Sequence, residues 1–301
     1  MKRAHRMLAG GSFKSLVGVG GGFALFAGGS TGVVTAVTDK YTYSGDTVAA
    51  GAALGTARSV LAAAGNATVG IFVGGFTTAV TAVTDKYTYS GDTVAAGTAL
   101  GTARSVLAAA GNATAGIFGG GYISGSTAVT DKYTYSGDTR AAGTALGTAR
   151  QSLAAAGNTT VGIFGGGYTS VVTAVTDKYT YSGDTVAAGT ALGTARRSLA
   201  AAGNTTVGIF GGGYTTANTA VTDKYTYSGD TRAAGTALGT TRAYLAAAAT
   251  STVGIFGGGS TTAVTAVTDK YTYSGDTRAA GTWLGTARDR LAAASSAPGH
   301  L

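Results

Sequence analysis

The sequence lacks the residues on which most enzyme active sites depend. Among its 301 residues there is no cysteine and no glutamate, and all 13 acidic residues are aspartates. Without cysteine there are no disulfides, thiolate nucleophiles or cysteine-ligated zinc sites. The 2 histidines, His5 and His300, lie at the two ends of the chain, which excludes histidine-dependent triads and most histidine-ligated metal centres. We therefore expect a protein that is not an enzyme and that uses no cofactor and no metal.

Proline is also scarce, whereas glycine is abundant. With 1 proline and 52 glycines the chain is not collagen-like, and its 45% hydrophobic content argues against a charged, disordered tail. Thr, Val and Tyr are frequent where helix-favouring Glu is missing, which favours strands and tight turns. The composition predicts an all-β fold.

The net charge of +8 is unevenly distributed. Half of it comes from Lys2, Arg3, Arg6 and Lys14, and the other half is spread over the rest of the chain. This is a weak electrostatic footprint for nucleic acid, so we expect no nucleic-acid partner. No stretch is long and apolar enough for a transmembrane helix, and we expect no membrane insertion.

Internal repetition is the dominant signal in the sequence. The phrase Thr-Asp-Lys-Tyr-Thr-Tyr-Ser-Gly-Asp-Thr recurs every 46 residues, beginning at Thr38, Thr84, Thr130, Thr176, Thr222 and Thr268. In the period 150–195, turn residues separate four apolar or alternating runs: residues 152–156, 160–164, 173–181 and 186–195. Four runs joined by short turns predict a four-stranded antiparallel meander.

Six such meanders predict a six-bladed β-propeller, because a ring of blades buries the two faces of every meander. We place this domain at residues 13–295, between a basic N-terminal tail (1–12) and a C-terminal tail (296–301), and expect a monomeric ring. Closure requires terminal strand exchange. Residues 288–294 repeat the first-strand phrase and are the better candidate for the closing strand, whereas residues 16–20 match it poorly.

The repeat also resembles the kelch repeat. That family has a second strand that ends in paired glycines, a third strand that bears tyrosine, and an arginine before the next blade. The paired glycines here are Gly28-Gly29, Gly74-Gly75, Gly120-Gly121, Gly166-Gly167, Gly212-Gly213 and Gly258-Gly259. The third-strand tyrosines are Tyr41, Tyr87, Tyr133, Tyr179, Tyr225 and Tyr271. The resemblance implies a divergent kelch-like propeller of the kind found in bacterial and phage proteins.

The chain departs from the kelch pattern in its fourth strand. The tryptophan typical of that strand is present only as Trp283, and alanine stands at the equivalent positions of the other five repeats. Orthodox kelch partners are therefore not implied. A further hypothesis, an enzyme like the kelch-like copper oxidases, lacks metal ligands because the chain has no cysteine and no internal histidine.

Comparison of the repeats with one another predicts two different faces. Turns of the Gly-Asn and Ser-Gly-Asp types barely change between repeats and share one face, which we call the invariant face. The segments after the paired glycines and after the arginine differ between repeats and share the opposite face, which we call the variable face. Loops on a rigid scaffold usually carry binding. The candidate ligand-binding residues are Phe76, Tyr122, Tyr168, Tyr214, Arg150, Arg196, Arg197 and Tyr244. The alternative is that these positions drift because loops tolerate change.

A repeated aspartate on the tyrosine side of the third strand needs a partner if it is buried. The repeated arginine is available, so structural ion pairs are expected; a ring of carboxylates that binds a cation is the alternative. The aspartates are Asp39, Asp85, Asp131, Asp177, Asp223 and Asp269. Besides Arg150 and Arg196, the repeated arginines are Arg58, Arg104, Arg242 and Arg288.

These observations favour a binding module that presents its variable face to a protein or a glycan. The alternative is a purely structural part of a phage particle or cell surface with no specific ligand. The first residues resemble a signal peptide, but residues 25–29 align with blade sequence at 163–167. An extracellular, cell-surface or virion-associated location is favoured over the cytoplasm.

Overall fold

The computed structural model describes residues 22–297, which form 24 β-strands. The predicted N-terminal tail and the weaker closing candidate at residues 16–20 lie outside the described residues, as do residues 298–301. The strands make six four-stranded antiparallel sheets arranged as the blades of a propeller. The predicted fold class is confirmed.

Each blade is described from the central channel outwards. Blade 1 contains β24 (Ala292–Ser295), β1 (Phe23–Ala27), β2 (Thr38–Thr42) and β3 (Thr47–Gly51). Blade 2 contains β4 (Ala62–Gly65), β5 (Val69–Val73), β6 (Thr84–Thr88) and β7 (Thr93–Ala96). Blade 3 contains β8 (Ala108–Gly111), β9 (Ala115–Gly119), β10 (Thr130–Thr134) and β11 (Thr139–Gly143).

The other three blades repeat this order. Blade 4 contains β12 (Ala154–Gly157), β13 (Val161–Gly165), β14 (Thr176–Thr180) and β15 (Thr185–Gly189). Blade 5 contains β16 (Ala200–Gly203), β17 (Val207–Gly211), β18 (Thr222–Thr226) and β19 (Thr231–Gly235). Blade 6 contains β20 (Ala246–Ala249), β21 (Val253–Gly257), β22 (Thr268–Thr272) and β23 (Thr277–Gly281).

The burial of each strand follows from its place in the blade. In blade 4, β13 is buried along its whole length because neighbouring blades cover both of its faces. In β14 only Lys178 and Thr180 are half-buried and the other three residues are buried, whereas β15 at the outer edge is largely exposed. The innermost strands are alanine-rich, and their small side chains let six strands meet around one channel.

The predicted fourth strand is too long. In blade 4 the strand ends at Gly189, and residues 190–195 form the connection that crosses towards blade 5. Leu192 anchors this connection: its N–H donates to the carbonyl of Ala174 at 2.9 Å, and its side chain is buried. The predicted third strand is likewise shortened to Thr176–Thr180. The apolar sequence pattern extends beyond the strand because the connection that follows is also packed. The pattern therefore does not mark where the strand ends.

The ring is closed by the C-terminal copy of the first strand, as predicted. β24 pairs antiparallel with β1, with Ala24 opposite Ser295. The pairing extends beyond β24: the N–H of Ser296 donates to the carbonyl of Phe23 at 2.9 Å, and Ala297 is buried. The first two residues of the predicted C-terminal tail therefore pack against blade 1.

The core lies between the blades. One cluster joins Phe26 and Tyr41 of blade 1 to Ile255 of blade 6, with Leu284 from the connection between them. Comparable clusters lie at the other blade junctions. Because each blade buries its apolar surface only against its neighbours, the six blades stabilise one another.

Candidate functional site

The paired glycines position the variable face. In blade 2, Gly74 and Gly75 have φ angles of 62° and 105°, a region that residues with a side chain rarely adopt. A Cβ atom on Gly75 would lie 2.6 Å from the carbonyl oxygen of Ser59. The N–H of Gly75 donates to the carbonyl of Arg104 in the next connection at 3.0 Å. The sharp turn brings the following residue, Phe76, onto the face.

The two variable positions of each repeat lie side by side. Phe76 and Ser59 exchange backbone hydrogen bonds of 2.8 and 3.0 Å, and the equivalent residues of each other blade are bridged in the same way. The pairs are Ser30–Asp289, Ser59–Phe76, Ser105–Tyr122, Gln151–Tyr168, Arg197–Tyr214 and Ala243–Ser260. The variable residues after the glycines are therefore held rigidly beside those after the arginine, of which Ser59, Ser105, Ala243 and Asp289 are buried.

Four aromatic side chains from blades 2 to 5 follow one another on this surface; we call Phe76, Tyr122, Tyr168 and Tyr214 the aromatic arc. Phe76 is 42% exposed and Tyr122 is 38% exposed, whereas Tyr168 and Tyr214 are half-buried. The guanidinium of Arg197 lies 5.1 Å from the ring centroid of Tyr168 and 5.3 Å from that of Tyr214. At these distances it interacts with both aromatic rings. The structure thus brings Arg197 together with two members of the arc.

Arg150 and Arg196 do not belong to this surface, and their assignment to it is wrong. Both side chains are fully buried. Arg150 Nη1 lies 2.5 Å from Asp177 Oδ2, and its Nη2 donates to the carbonyl of Phe164 at 2.8 Å. Arg196 makes the same contacts with Asp223 and Phe210. These arginines are buried because the forked guanidinium group donates to a buried carboxylate and to a strand carbonyl at the same time.

The repeated ion pair occurs in all six blades. The pairs are Arg288–Asp39, Arg58–Asp85, Arg104–Asp131, Arg150–Asp177, Arg196–Asp223 and Arg242–Asp269. Burial lowers the pKa of the Arg150 guanidinium, and the charge of Asp177 opposes this shift. Asp177 Oδ1 also accepts from the N–H of Gly147 at 3.2 Å. Both oxygens of this carboxylate are therefore engaged inside the blade. This is the expected structural ion pair and not a ring of carboxylates open to a cation.

A second element of the variable face surrounds the channel mouth, and of its six residues the sequence singled out only Tyr244 as a candidate ligand-binding residue. Six residues surround the channel mouth, and each N–H donates to the carbonyl of the equivalent residue in the preceding blade at 2.7 to 2.8 Å. They are Val60, Val106, Ser152, Ser198, Tyr244 and Arg290. All six have φ angles between 48° and 59°. The sequence shows that these positions vary. It does not predict their left-handed backbone, because valine, which occupies two of them, rarely adopts that conformation.

The polar side of the channel mouth has its own ion pair. The guanidinium of Arg290 lies 4.7 Å from the ring centroid of Tyr244, and its Nη1 lies 3.0 Å from Asp289 Oδ2. Burial raises the pKa of the Asp289 carboxyl, and the charge of Arg290 opposes this shift. Tyr244 therefore lies at the channel mouth and contacts Arg290. The cavity there measures only about 80 Å³.

Comparison with known proteins adds no assignment. No protein-family model matches the chain. No curated protein is significantly similar to it. Across residues 22–297 there is no helix long and apolar enough to cross a membrane.

Proposed function

We propose that this protein is a non-enzymatic binding module, related to kelch-like propellers, that presents its variable face to a protein or a glycan. The observation that carries the proposal is the arrangement of Tyr168, Arg197 and Tyr214, in which one guanidinium interacts with two half-buried rings. Phe76 and Tyr122 extend this surface along the ring and are the more exposed members of the arc.

The chemistry of the surface suits recognition. Tyr and Arg are enriched among the residues that dominate binding energy, and flat aromatic rings also stack on sugars. The backbone bridges on either side of Tyr168 and Tyr214 hold these loops before a ligand arrives. Preorganisation reduces the entropic cost of binding. A rigid aromatic surface with a cationic group therefore favours a ligand that combines flat or apolar faces with acceptor oxygens.

A purely structural role, as part of a phage particle or a cell surface, is the second candidate. The observation that favours it is a hydrogen bond between neighbouring blades that recurs at the invariant face. The side-chain amide of Asn66 donates to the carbonyl of Ala113 in the next blade at 3.0 Å, and Asn204 makes the same contact with Ser251. Such hydrogen bonds stiffen the ring, which is what a structural part requires.

The two candidates are separated by binding of the purified chain to a broad glycan array. The test variant carries Tyr168→Ala and Arg197→Ala, which remove the centre of the aromatic arc. The matched control is Ser260→Ala, a substitution after the paired glycines of blade 6, where no aromatic residue is present. Thermal melting of each variant verifies that folding is unchanged.

We expect a glycan that binds the wild type and the Ser260→Ala variant and is lost in the double variant. If the double variant still bound the glycan, the aromatic arc would not be the binding site. If the folded, monomeric chain bound nothing on the array, a glycan ligand would be excluded. A protein pull-down with the same variants would then decide between a protein ligand and the structural role.

A further inference from the structure

Two grooves lie between neighbouring blades at the invariant face. One groove opens between blades 4 and 5 and another between blades 5 and 6, each with a volume of about 340 Å³. The channel mouth, at about 80 Å³, is far smaller. Pockets for small molecules usually measure roughly 300–1,000 Å³. Each groove therefore has room for a ligand the size of one sugar ring.

Each groove contains a lysine from the third strand of one blade, Lys178 in the first and Lys224 in the second. Both lysines are half-buried, and within residues 22–297 neither has a carboxylate oxygen within 4.0 Å. Lys224 Nζ makes one long hydrogen bond, of 3.4 Å, to the carbonyl of Tyr273 in blade 6. An ammonium group has three donors, so most of the hydrogen-bonding capacity of Lys224 is left for a ligand.

The side-chain oxygen of Asn204, which lines the second groove, is already engaged as an acceptor. Asn204 Oδ1 accepts from the N–H groups of Thr206 and Val207 at 2.9 and 3.0 Å.

Beside the lysine, that groove offers hydroxyl groups that can donate. The hydroxyls of Ser251 and Ser274 line it and are exposed, and hydroxyls donate as well as accept. Together with Lys224 they favour a ligand rich in acceptor oxygens and negatively charged.

The junction between blades 1 and 2 shows how such a groove is closed. Phe23 stands there at the position that Val161 and Val207 occupy in the two open grooves. Its ring packs edge-to-face on Tyr89, with centroids 5.4 Å apart, and Lys40 Nζ lies 4.1 Å from its centroid. In blade 1 an aromatic ring thus takes the space, and the lysine interacts with that ring.

We propose that the inter-blade grooves of the invariant face bind an anionic sugar residue, with the carboxylate of a uronate next to Lys178 or Lys224 and the sugar hydroxyls among the serine and threonine groups. This site lies on the opposite face from the aromatic arc and does not depend on it. Because the two grooves lie at adjacent blade junctions, a chain of uronate residues could occupy both at once, which raises its avidity.

The experiment is equilibrium dialysis of the full chain against labelled sodium glucuronate, with glucose and inorganic sulfate in parallel. The test variant is Lys178→Gln with Lys224→Gln, and the matched control is Lys40→Gln, the same substitution at the groove that Phe23 fills. A third variant, Phe23→Val, introduces the residue found in the open grooves. Melting curves verify that each variant is folded.

We expect saturable glucuronate binding that falls by two molecules per chain in the double lysine variant, is unchanged in Lys40→Gln and rises by one in Phe23→Val. Glucose should bind on the order of tenfold more weakly, since it lacks the charged group. Sulfate should also bind more weakly, because it leaves most of the cavity empty. An absence of saturable binding, full stoichiometry in the double lysine variant, or sulfate binding as tight as glucuronate would each overturn the proposal.

Discussion

The largest fully buried side chains among the described residues include the arginines at the start of each blade. Arg150 shows why the position requires arginine. Its planar group reaches the carboxylate of Asp177, the carbonyl of Phe164 and, at 3.3 Å, the carbonyl of Thr148. A lysine ammonium would lack the fork that joins these acceptors. One side chain therefore connects the second and third strands of a blade to the connection that precedes it.

Replacing Arg150 with methionine leaves the buried carboxylate of Asp177 without its partner. We expect a loss of about 3–5 kcal/mol in the free energy of unfolding, because an uncompensated buried charge remains. Chemical denaturation followed by circular dichroism measures the change. The double variant Arg150→Met/Asp177→Leu should be less destabilised than the single one, because it removes the unpaired charge.

The matched control is Arg140→Met. Arg140 is partly exposed and lies 3.6 Å from Asp131, so its loss should cost at most about 1 kcal/mol. If Arg150→Met cost no more than this control, the buried ion pair would not stabilise the ring.

At the scale of the strand, the third strand of each blade and the tyrosine that follows it link neighbouring blades. The hydroxyl of Tyr43, just after β2, donates to the carbonyl of Ala249 in blade 6 at 3.1 Å. Tyr89 makes the same contact with Ser295 in blade 1. Such tyrosines are buried between blades, and burial raises the pKa of the Tyr43 hydroxyl well above its usual range.

The ring should unfold cooperatively in alkali. Burial raises the pKa of six equivalent hydroxyls above the ordinary value of about 10, those of Tyr43, Tyr89, Tyr135, Tyr181, Tyr227 and Tyr273. A pKa that is raised in the folded state gives stability that is fully present below the unfolded pKa and is lost as the pH rises towards the folded pKa. Stability should therefore fall above about pH 10.

Tyrosinate absorbance and circular dichroism, recorded together against pH, measure this. The two signals should change in one transition for these six tyrosines. The variant Tyr181→Phe should shift the transition to higher pH at little other cost, because the Tyr181 hydroxyl has no hydrogen-bond partner among the described residues. Ionisation of all tyrosines near pH 10 with unchanged circular dichroism would contradict the expectation.

For the whole molecule, the decisive contact is the pairing of the two chain ends. Blade 1 is complete only when β24 lies beside β1. Every other blade is formed from one continuous segment. Because the repeats are nearly identical, strands of this kind can exchange between chains during folding, and the closing pair decides whether one chain forms one ring.

A disulfide can report this closure, since the natural chain has no cysteine. Ala24 and Ser295 are register partners, and partners in an antiparallel pair lie about 4.5–5.5 Å apart at Cα, within the range that a disulfide spans. We expect Ala24→Cys/Ser295→Cys to form an intramolecular disulfide and to gain about 2–4 kcal/mol. Non-reducing electrophoresis and denaturation measure the two effects.

The control is Ala24→Cys/Ala292→Cys, whose cysteines are three residues out of register because Ala292 lies opposite Ala27. It should remain reduced or cross-link between chains. If the register pair also cross-linked only between chains, closure would be intermolecular in solution.

Much of the candidate site was predictable because the repeats can be compared within one chain. The aromatic arc and Arg197 vary while the turns of the opposite face do not, and the structure places Phe76, Tyr122, Tyr168 and Tyr214 on one surface. The sequence placed Arg150 and Arg196 both on the variable face and in the repeated ion pair, and only the ion pair is correct, because both side chains are fully buried. Their burial depends on Asp177 and Asp223, which lie 27 residues away in the chain.

The repeat by itself determined the number of blades, the four strands in each and the C-terminal closing strand, because these follow from a 46-residue period and local turn chemistry. Only the tertiary structure decided which carbonyls the buried arginines reach, which backbone turns left-handed at the channel mouth, and that Phe23 fills one groove while two others stay open. These features depend on contacts between residues of different strands and blades, and a one-dimensional pattern does not record such distances.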